Sequence, residues 1–209
     1  ISLITAFTYL YGNGGAPLCS MERGKGNDEE AEHLMGNAFT LLIGTGIVLT
    51  IIGLIFYKPI LYLFGASDDT FPYAGSYIRI YLLGTVFVMV SVGMNPFINS
   101  QGFGNTGMIS VLIGAVLNII LDPMFIFVLN LGVRGAAIAT IISQFCSAVW
   151  VLVFLTGKRA VLHLKWSCMR LQWKRVLRII SLGVSSFIMA FTNSLVEVVC
   201  NATLQVYGG

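Results

Sequence analysis

Three ionisable side chains stand inside stretches that are otherwise free of charge: Arg79, Asp122 and Glu197. A charged group in hydrocarbon is costly, so each is a candidate for function. Asp122 sits in Asn118-Ile119-Ile120-Leu121-Asp122-Pro123. On a helix, Asn118 and Asp122 are i and i+4 and lie one above the other. Pro123 lacks an N–H and frees the carbonyl of Ile119. A carboxylate, an amide oxygen and a loosened backbone are oxygen donors of the kind that hard cations and protons take. With a rise of about 1.5 Å per residue, Asp122 lies roughly 12 Å from the end of its helix and Thr140 roughly 9 Å into the next one. Thr140 can therefore face Asp122 and add a hydroxyl ligand. Two structural alternatives stand beside this one. Arg79, at similar depth, would hold Asp122 ionised and inert in an ion pair, or would snorkel to the surface. Asn193 and Asn201 flank Glu197 at i−4 and i+4, a polar stripe that lines a watery cavity or joins two helices by hydrogen bonds.

The elements that carry these residues follow from composition. Of 209 residues, 56% are hydrophobic and 10% charged, against about 25% charged in an ordinary soluble domain. With a mean hydropathy of +0.86, the chain has more apolar surface than a soluble globule of its size hides. A disordered chain, a collagen-like repeat and a coiled coil are excluded, and lipid is the expected solvent. A net charge of +3 is too small, without a basic domain, to indicate a nucleic-acid partner. Residues 34–57, 80–121, 135–157 and 179–196 carry no charge. The second run exceeds the roughly 20 residues of one crossing, and the breaker cluster at 99–107 divides it. The pattern predicts six membrane helices near 1–20, 35–57, 72–98, 106–130, 134–157 and 179–206. The first starts at Ile1 without a basic n-region, so an internal piece of a longer protein is expected rather than a signal peptide.

Basic residues orient this arrangement. Arg23, Lys25, Lys158, Arg159, Lys165, Arg170, Lys174, Arg175 and Arg178 fall in loops of one parity, and Lys58 and Arg134 at the other side. The positive-inside rule puts loops 21–34 and 158–178 in the cytoplasm. Within 158–178, Leu162, Trp166, Met169, Trp173 and Val176 recur at helical spacing between basic residues. That pattern predicts an amphipathic helix on the inner leaflet and a boundary between lobes, 1–157 before it and 179–209 after it. Glu22 to His33 reads as a short solvated helix capped by Asn27 or Asp28, with no chemistry assigned.

Other signals lead away from catalysis. Cys19, Cys146, Cys168 and Cys200 are scattered and read as buried thiols, not as zinc ligands or a disulfide framework. Gly102-Phe103-Gly104-Asn105-Thr106-Gly107 fits a dinucleotide pattern but lacks the preceding strand. Asn201-Ala202-Thr203 fits a glycosylation acceptor but lies within a span. His33 and His163 read as solvated loop residues. No hydrolase, metalloprotease or phosphate-loop motif is present, and no enzyme is expected.

Four motifs together resemble the multidrug and toxin extrusion (MATE) family of secondary transporters. They are Gly24-Lys25-Gly26-Asn27 with Gly36-Asn37-Ala38-Phe39; Asn99-Ser100-Gln101-Gly102-Phe103-Gly104-Asn105-Thr106; Leu117 to Pro123; and Gly132-Val133-Arg134-Gly135 through Thr140. The resemblance implies an all-α polytopic membrane protein of twelve helices in two lobes. This chain would supply helices two to six of the first lobe, the cytoplasmic linker and helix seven. It implies a cation site to which Asn118, Asp122 and Thr140 contribute, with H⁺ or Na⁺ as coupling ion. Another branch places a sodium-binding glutamate near Asn193, one turn before Glu197, and a proline near Ser185 that is absent here.

The expected function is a secondary antiporter of the plasma (inner) membrane, monomeric at full length and without a cofactor other than its ion. It would export drugs or other small organic compounds, amphipathic cations among them. Tyr77, Gln144, Asn193 and Glu197 are candidates for the substrate pathway, and Asp122 with Asn118 for Na⁺. Alternatives are a lipid-linked oligosaccharide flippase of related architecture, which calls for a wide cationic cavity, and a non-transporting membrane scaffold.

Overall fold

A computed structural model describes residues 2–63 and 70–207, and the side chains of 63, 198, 201, 202 and 204–207 are not described. Part of the 58–71 loop, and Asn201 in the expected stripe, therefore lie outside the described residues. The chain is all-helical: α1 (Ser2–Gly24), α2 (Asp28–Leu63), α3 (Phe71–Leu83), α4 (Thr85–Ser100), α5 (Gly104–Pro123), α6 (Val133–Thr156) and α7 (Trp173–Tyr207). Four helical stretches are long and apolar enough to cross a membrane: Asp28–Tyr62, Gly104–Val128, Val133–Thr156 and Trp173–Glu197. The bent pair α3 and α4 makes a fifth. The expected first crossing, α1, is not among them. It packs against α2, α4 and α7, so its polar residues meet other helices rather than lipid. Thr8 returns its hydroxyl to Ile4 O at 2.8 Å, and the Tyr11 and Thr45 hydroxyls pair at 3.0 Å. A Cβ on Gly12 would lie 2.7 Å from Gly93 O, and one on Gly14 2.2 Å from Ile179 O. Small residues let these backbones touch.

The helix expected over 72–98 is broken. It bends by 58° between Leu83 and Thr85. Thr50 of α2 donates to Leu82 O at 2.9 Å, which satisfies a carbonyl freed by the break. Gly84 leaves room for Ile141 of α6, whose Cγ1 a Cβ would approach to 2.5 Å. Two turns close with the same device. Asn27 N donates to Glu22 O and Gly26 N to Arg23 O, both at 2.9 Å, with Gly26 at φ +77°. Phe103 N donates to Ile98 O at 3.3 Å and Gly102 N to Asn99 O at 2.9 Å, with Gly102 at φ +90°. These are Schellman closures, which require a left-handed residue just past the helix end. Gly102 serves that turn within the would-be dinucleotide pattern. Asn27 caps α2 by accepting Glu30 N at 3.2 Å, but the short solvated helix is continuous with the span beyond it.

The amphipathic helix expected over 158–178 does not form. Residues 158–165 carry no helix, Trp166–Met169 is one 3₁₀ turn, and α7 starts at Trp173. The physical reason lies in what the segment docks against. Leu162, Leu164 and Cys168 are buried, whereas Trp166 is 88% and Trp173 73% exposed, so no helical apolar face exists. The backbone is instead held by side chains of other helices. Gln101 Oε1 accepts Val161 N and Leu162 N, each at 2.9 Å. The buried Asn37 donates to Cys168 O at 3.3 Å and Arg170 O at 3.2 Å, and accepts Gln172 N at 2.8 Å. Thr40 donates to Met169 O at 2.9 Å, and Gly36 lets Cys168 O within 2.4 Å of where its Cβ would be.

Charge holds the same segment. Glu32 accepts His163 N at 3.0 Å and Lys165 Nζ at 2.5 Å. The Glu32 carboxylate holds the Lys165 ammonium above the usual lysine pKa. Arg175 reaches Glu30 through two nitrogens, at 2.5 and 3.0 Å, and Arg178 meets Glu22 at 2.6 Å. The acidic residues to which no chemistry was assigned are therefore the partners of the basic loop. Replacing Asn37 with Ala orphans backbone groups at Cys168, Arg170 and Gln172. Each buried unsatisfied group costs about 1–3 kcal/mol. Asn37→Ala is expected to lower thermal stability and speed protease cleavage within 160–172; unchanged cleavage contradicts the clamp.

Candidate functional site

A groove of about 410 Å³ opens between α4, α5 and α6. Its geometry follows from glycines on α5. A Cβ on Gly107 would lie 2.2 Å from Asn99 Oδ1, and one on Gly114 2.7 Å from Ser147 Oγ. Without those atoms α5 lies close to both neighbours, and polar side chains bridge the contacts. Asn95 donates to Ser110 Oγ at 2.5 Å and to Gly107 O at 2.8 Å. Ser91 donates to Gln144 Oε1 at 2.6 Å, and Ser147 to Ser110 O at 2.9 Å. Ser143 returns its hydroxyl to Ala139 O at 2.8 Å. Asn118, Thr140 and Gln144 line the same groove.

Asn118 donates to Asp122 Oδ1 at 3.2 Å, the i, i+4 pair anticipated from spacing. That bond leaves the Asn118 oxygen as an acceptor. Asp122 is half-buried, one turn along α5 from Asn118, and is not among the groove-lining residues. Thr140 lines the groove and donates to Ala136 O at 2.9 Å, so its oxygen lone pairs stay available. The structure thus brings Asn118, Thr140 and Gln144 to one groove and ties Asp122 to it through Asn118. Pro123 ends α5, and Met124–Val128 continues as a π-helical turn with Leu129 N on Met124 O at 3.0 Å. A Cβ on Gly135 would lie 2.7 Å from Phe125 O, so α6 starts directly against that turn.

The ion pair considered for Asp122 is not formed among the described residues. Arg79 is exposed, donates Nε to Gly75 O at 3.2 Å and lies 5.3 Å from the centre of the Tyr57 ring. Tyr77 stacks on Tyr81 at 5.9 Å, away from the groove. Glu197, exposed on α7, accepts Ser2 Oγ at 2.9 Å, and Asn193 is exposed on the same helix. Neither lines the groove.

Sequence reasoning missed Ser91, Asn95, Ser110, Ser143 and Ser147. Their signal is spacing: Ser110, Gly114, Asn118 and Asp122 succeed one another every four residues along α5, opposite Thr140, Gln144 and Ser147 on α6. Serine and glycine barely lower the hydropathy of a span, so the stripe hides in an apolar run. The donors are hydroxyls, amides and one nearby carboxylate. Such oxygen ligands suit a proton or a hard cation, not a thiolate- or imidazole-seeking metal. Among the described residues no three His, Cys, Asp or Glu side chains cluster to hold a metal ion.

The model of the MatE family matches residues 1–124, more than half of the chain. The chain belongs to the MatE family. This MatE chain is 27% identical over 207 residues to the multidrug export protein MepA of Staphylococcus haemolyticus, covering 99% of the chain and 46% of that protein. It is 26% identical over 213 residues to the probable multidrug resistance protein YoeA of Bacillus subtilis, again with 99% and 46% covered. The chain thus spans about half the length of the curated relatives it matches. Its fold matches the inward-facing conformation of a multidrug resistance MATE family transporter with a TM-score of 0.89 at 23% identity, over 94% of this chain and 45% of that one. The outward-facing conformation of such a transporter matches with a TM-score of 0.85 at 25% identity, over 93% and 43%. The helices are therefore those of a multi-pass membrane protein.

The Asn95–Ser110 contact provides a check on the groove. Hydrogen bonds between membrane helices couple by about 0.6 kcal/mol on average. A double-mutant cycle of Asn95→Ala and Ser110→Ala, read by denaturant unfolding of the full-length protein, is expected to give a coupling of that size. Strict additivity would mean the two side chains do not meet.

Proposed function

We propose that the chain works within a cation-coupled antiporter that exports small organic compounds, and that Asp122, with Asn118 and Thr140, holds the coupling ion. The observation that carries this reading is the Asn118–Asp122 bond of 3.2 Å at the edge of a groove that Thr140 also lines. An intramembrane carboxylate without a cationic partner is costly; taking up H⁺ or Na⁺ offsets that cost. The names of MepA and YoeA support multidrug export as the task. Apolar stretches of the groove wall such as Val92, Pro96 and Val111 favour amphipathic cations among the cargo, and no cofactor is called for beyond the ion.

Coupling needs two conformations that bind the ion unequally. The same stretch of fold matches an inward-facing and an outward-facing transporter at TM-scores of 0.89 and 0.85. The motion this reading calls for is a bundle moving largely as one body while a second lobe rocks against it. The reading places loops 21–34 and 158–178 in the cytoplasm, the full-length protein in the plasma membrane, and one copy per transporter. The basic residues of 158–178 motivate that orientation.

The flippase alternative calls for a wide cationic cavity. Among the described residues no Lys or Arg lines the α4–α6 groove, which favours export of organic compounds over movement of a pyrophosphate-linked sugar. A scaffold would have no use for the half-buried Asp122 beside a polar groove.

In vesicles carrying the full-length protein, Asp122→Asn is expected to lower ion-gradient-driven efflux at least about tenfold at equal protein level, the scale of losing one essential proton or ion step. Undiminished efflux removes Asp122 from the mechanism. Substrate-induced proton release, measured on purified full-length protein with and without Na⁺, identifies the ion. If Na⁺ drives transport, Na⁺ alone is expected to displace protons from wild type and not from Asp122→Asn.

A further inference from the structure

At the end of the bundle where the π turn leads into α6, a pocket of about 460 Å³ is lined by Leu54, Ser76, Arg79, Ile80, Leu83 and Arg134. Two arginines face one space there, and among the described residues no carboxylate lines it and neither guanidinium is ion-paired. Their levels agree. Gly84 of α3–α4 packs on Ile141 of α6. Counting back at about 1.5 Å per residue puts Arg79 roughly 7.5 Å and Arg134 roughly 10.5 Å above that contact. Arg134 also lies in the first turn of α6, where unpaired N–H groups and the helix dipole add positive potential.

The surroundings say what kind of anion fits. Tyr57 lies under the Arg79 guanidinium at 5.3 Å. Tyr57 and Tyr62 both stack on Phe71, at 6.3 and 5.1 Å, and Tyr73 is 65% exposed. A belt of tyrosines marks the level of a bilayer's headgroups. Below the arginines the pocket wall is Leu54, Ile80 and Leu83, and Leu83 is 64% exposed. Cationic heads above and an open apolar wall below match a molecule with a phosphate at one end and acyl chains at the other. A guanidinium pairs with phosphate through two parallel N–H donors.

We propose that Arg79 and Arg134 form a binding site for the phosphate headgroup of an anionic membrane lipid, with its acyl chain against Leu54, Ile80 and Leu83. The site lies apart from the α4–α6 groove and does not depend on transport. It gives Arg79 a task other than neutralising Asp122.

Native mass spectrometry of the delipidated full-length protein tests this, with phosphatidylglycerol as the probe. Wild type is expected to retain phosphatidylglycerol about tenfold better than Arg79→Gln/Arg134→Gln, the loss of about 1.4 kcal/mol that removing charge-assisted bonds produces. Diacylglycerol, which lacks the phosphate, is expected to bind both proteins equally weakly. Millimolar inorganic phosphate is expected to leave the lipid adduct intact; complete displacement would make this a site for a soluble anion and overturn the lipid assignment. Equal retention by the double variant overturns the site. A photo-crosslinkable phosphatidylglycerol on wild type supplies a readout independent of the variant's folding. Labelling within 76–83 and 134–138 supports the site, and labelling confined elsewhere refutes it.

Discussion

Every polar group inside a membrane bundle must find its partner within the protein, because lipid offers none. That constraint governs this fold more than hydrophobic burial does, since apolar side chains gain little by leaving one hydrocarbon for another. Helices satisfy their own backbones, and what remains are breaks, ends and polar side chains. At several of these the chain supplies a specific donor or acceptor, although the buried Thr85 hydroxyl at the start of α4 has none among the described residues. Thr50 takes the Leu82 carbonyl at the α3–α4 bend, and Gly26 and Gly102 permit two helix ends to close on themselves. Asn95, Ser110 and Ser147 satisfy one another where α5 lies between α4 and α6.

The same rule explains the basic loop. A segment whose apolar residues Leu162, Trp166, Met169, Trp173 and Val176 recur every three or four positions would fold as a surface helix if its backbone had no better partner. Here Asn37, Thr40 and Gln101 present side-chain amides and a hydroxyl at the ends of α2 and α4, and the buried carboxylate of Glu32 presents another acceptor. Extended backbone offers unpaired N–H and C=O groups to such side chains; a helix would have hidden them. Six backbone contacts are made by Asn37, Thr40 and Gln101 alone, so an extended path replaces the amphipathic helix. The ion pairs of Arg175 with Glu30 and of Arg178 with Glu22 then tie the start of α7 to α1 and α2.

Legibility divided along the range of the interactions. Long charge-free runs made the all-helical membrane fold readable, and helix positions followed to within about seven residues at the ends of α2 and α7, because hydropathy is a local sum. The Asn118–Asp122 pair was readable because i, i+4 geometry is fixed by the helix itself. The bend at Gly84 was not, since it depends on Ile141 of a distant helix filling the gap. Nor were the partners of Asn37, 131 to 135 residues away. Ser91, Asn95, Ser110 and Ser147 escaped notice because serine and asparagine scattered in an apolar run look like tolerance rather than a stripe. Arg79 misled in another way: equal depth suggested a pair with Asp122, yet depth fixes height and not azimuth, and Arg79 faces α2 and the tyrosine ring of residue 57.

That azimuth has a consequence for the groove. With Arg79 turned to Tyr57, and no lysine or arginine among the groove-lining residues, Asp122 depends on neutral dipoles for its stabilisation. The Asn118 amide supplies one N–H at 3.2 Å, a modest contribution compared with a guanidinium fork. A carboxylate held by neutral dipoles gains strongly from any small cation that reaches it, whereas one already in an ion pair would gain little. The hydroxyl and amide oxygens of Thr140 and Asn118 offer further ligands without adding charge. On the proposed reading, the availability of Asp122 to a coupling ion rests as much on where α3 points Arg79 as on the residues of α5.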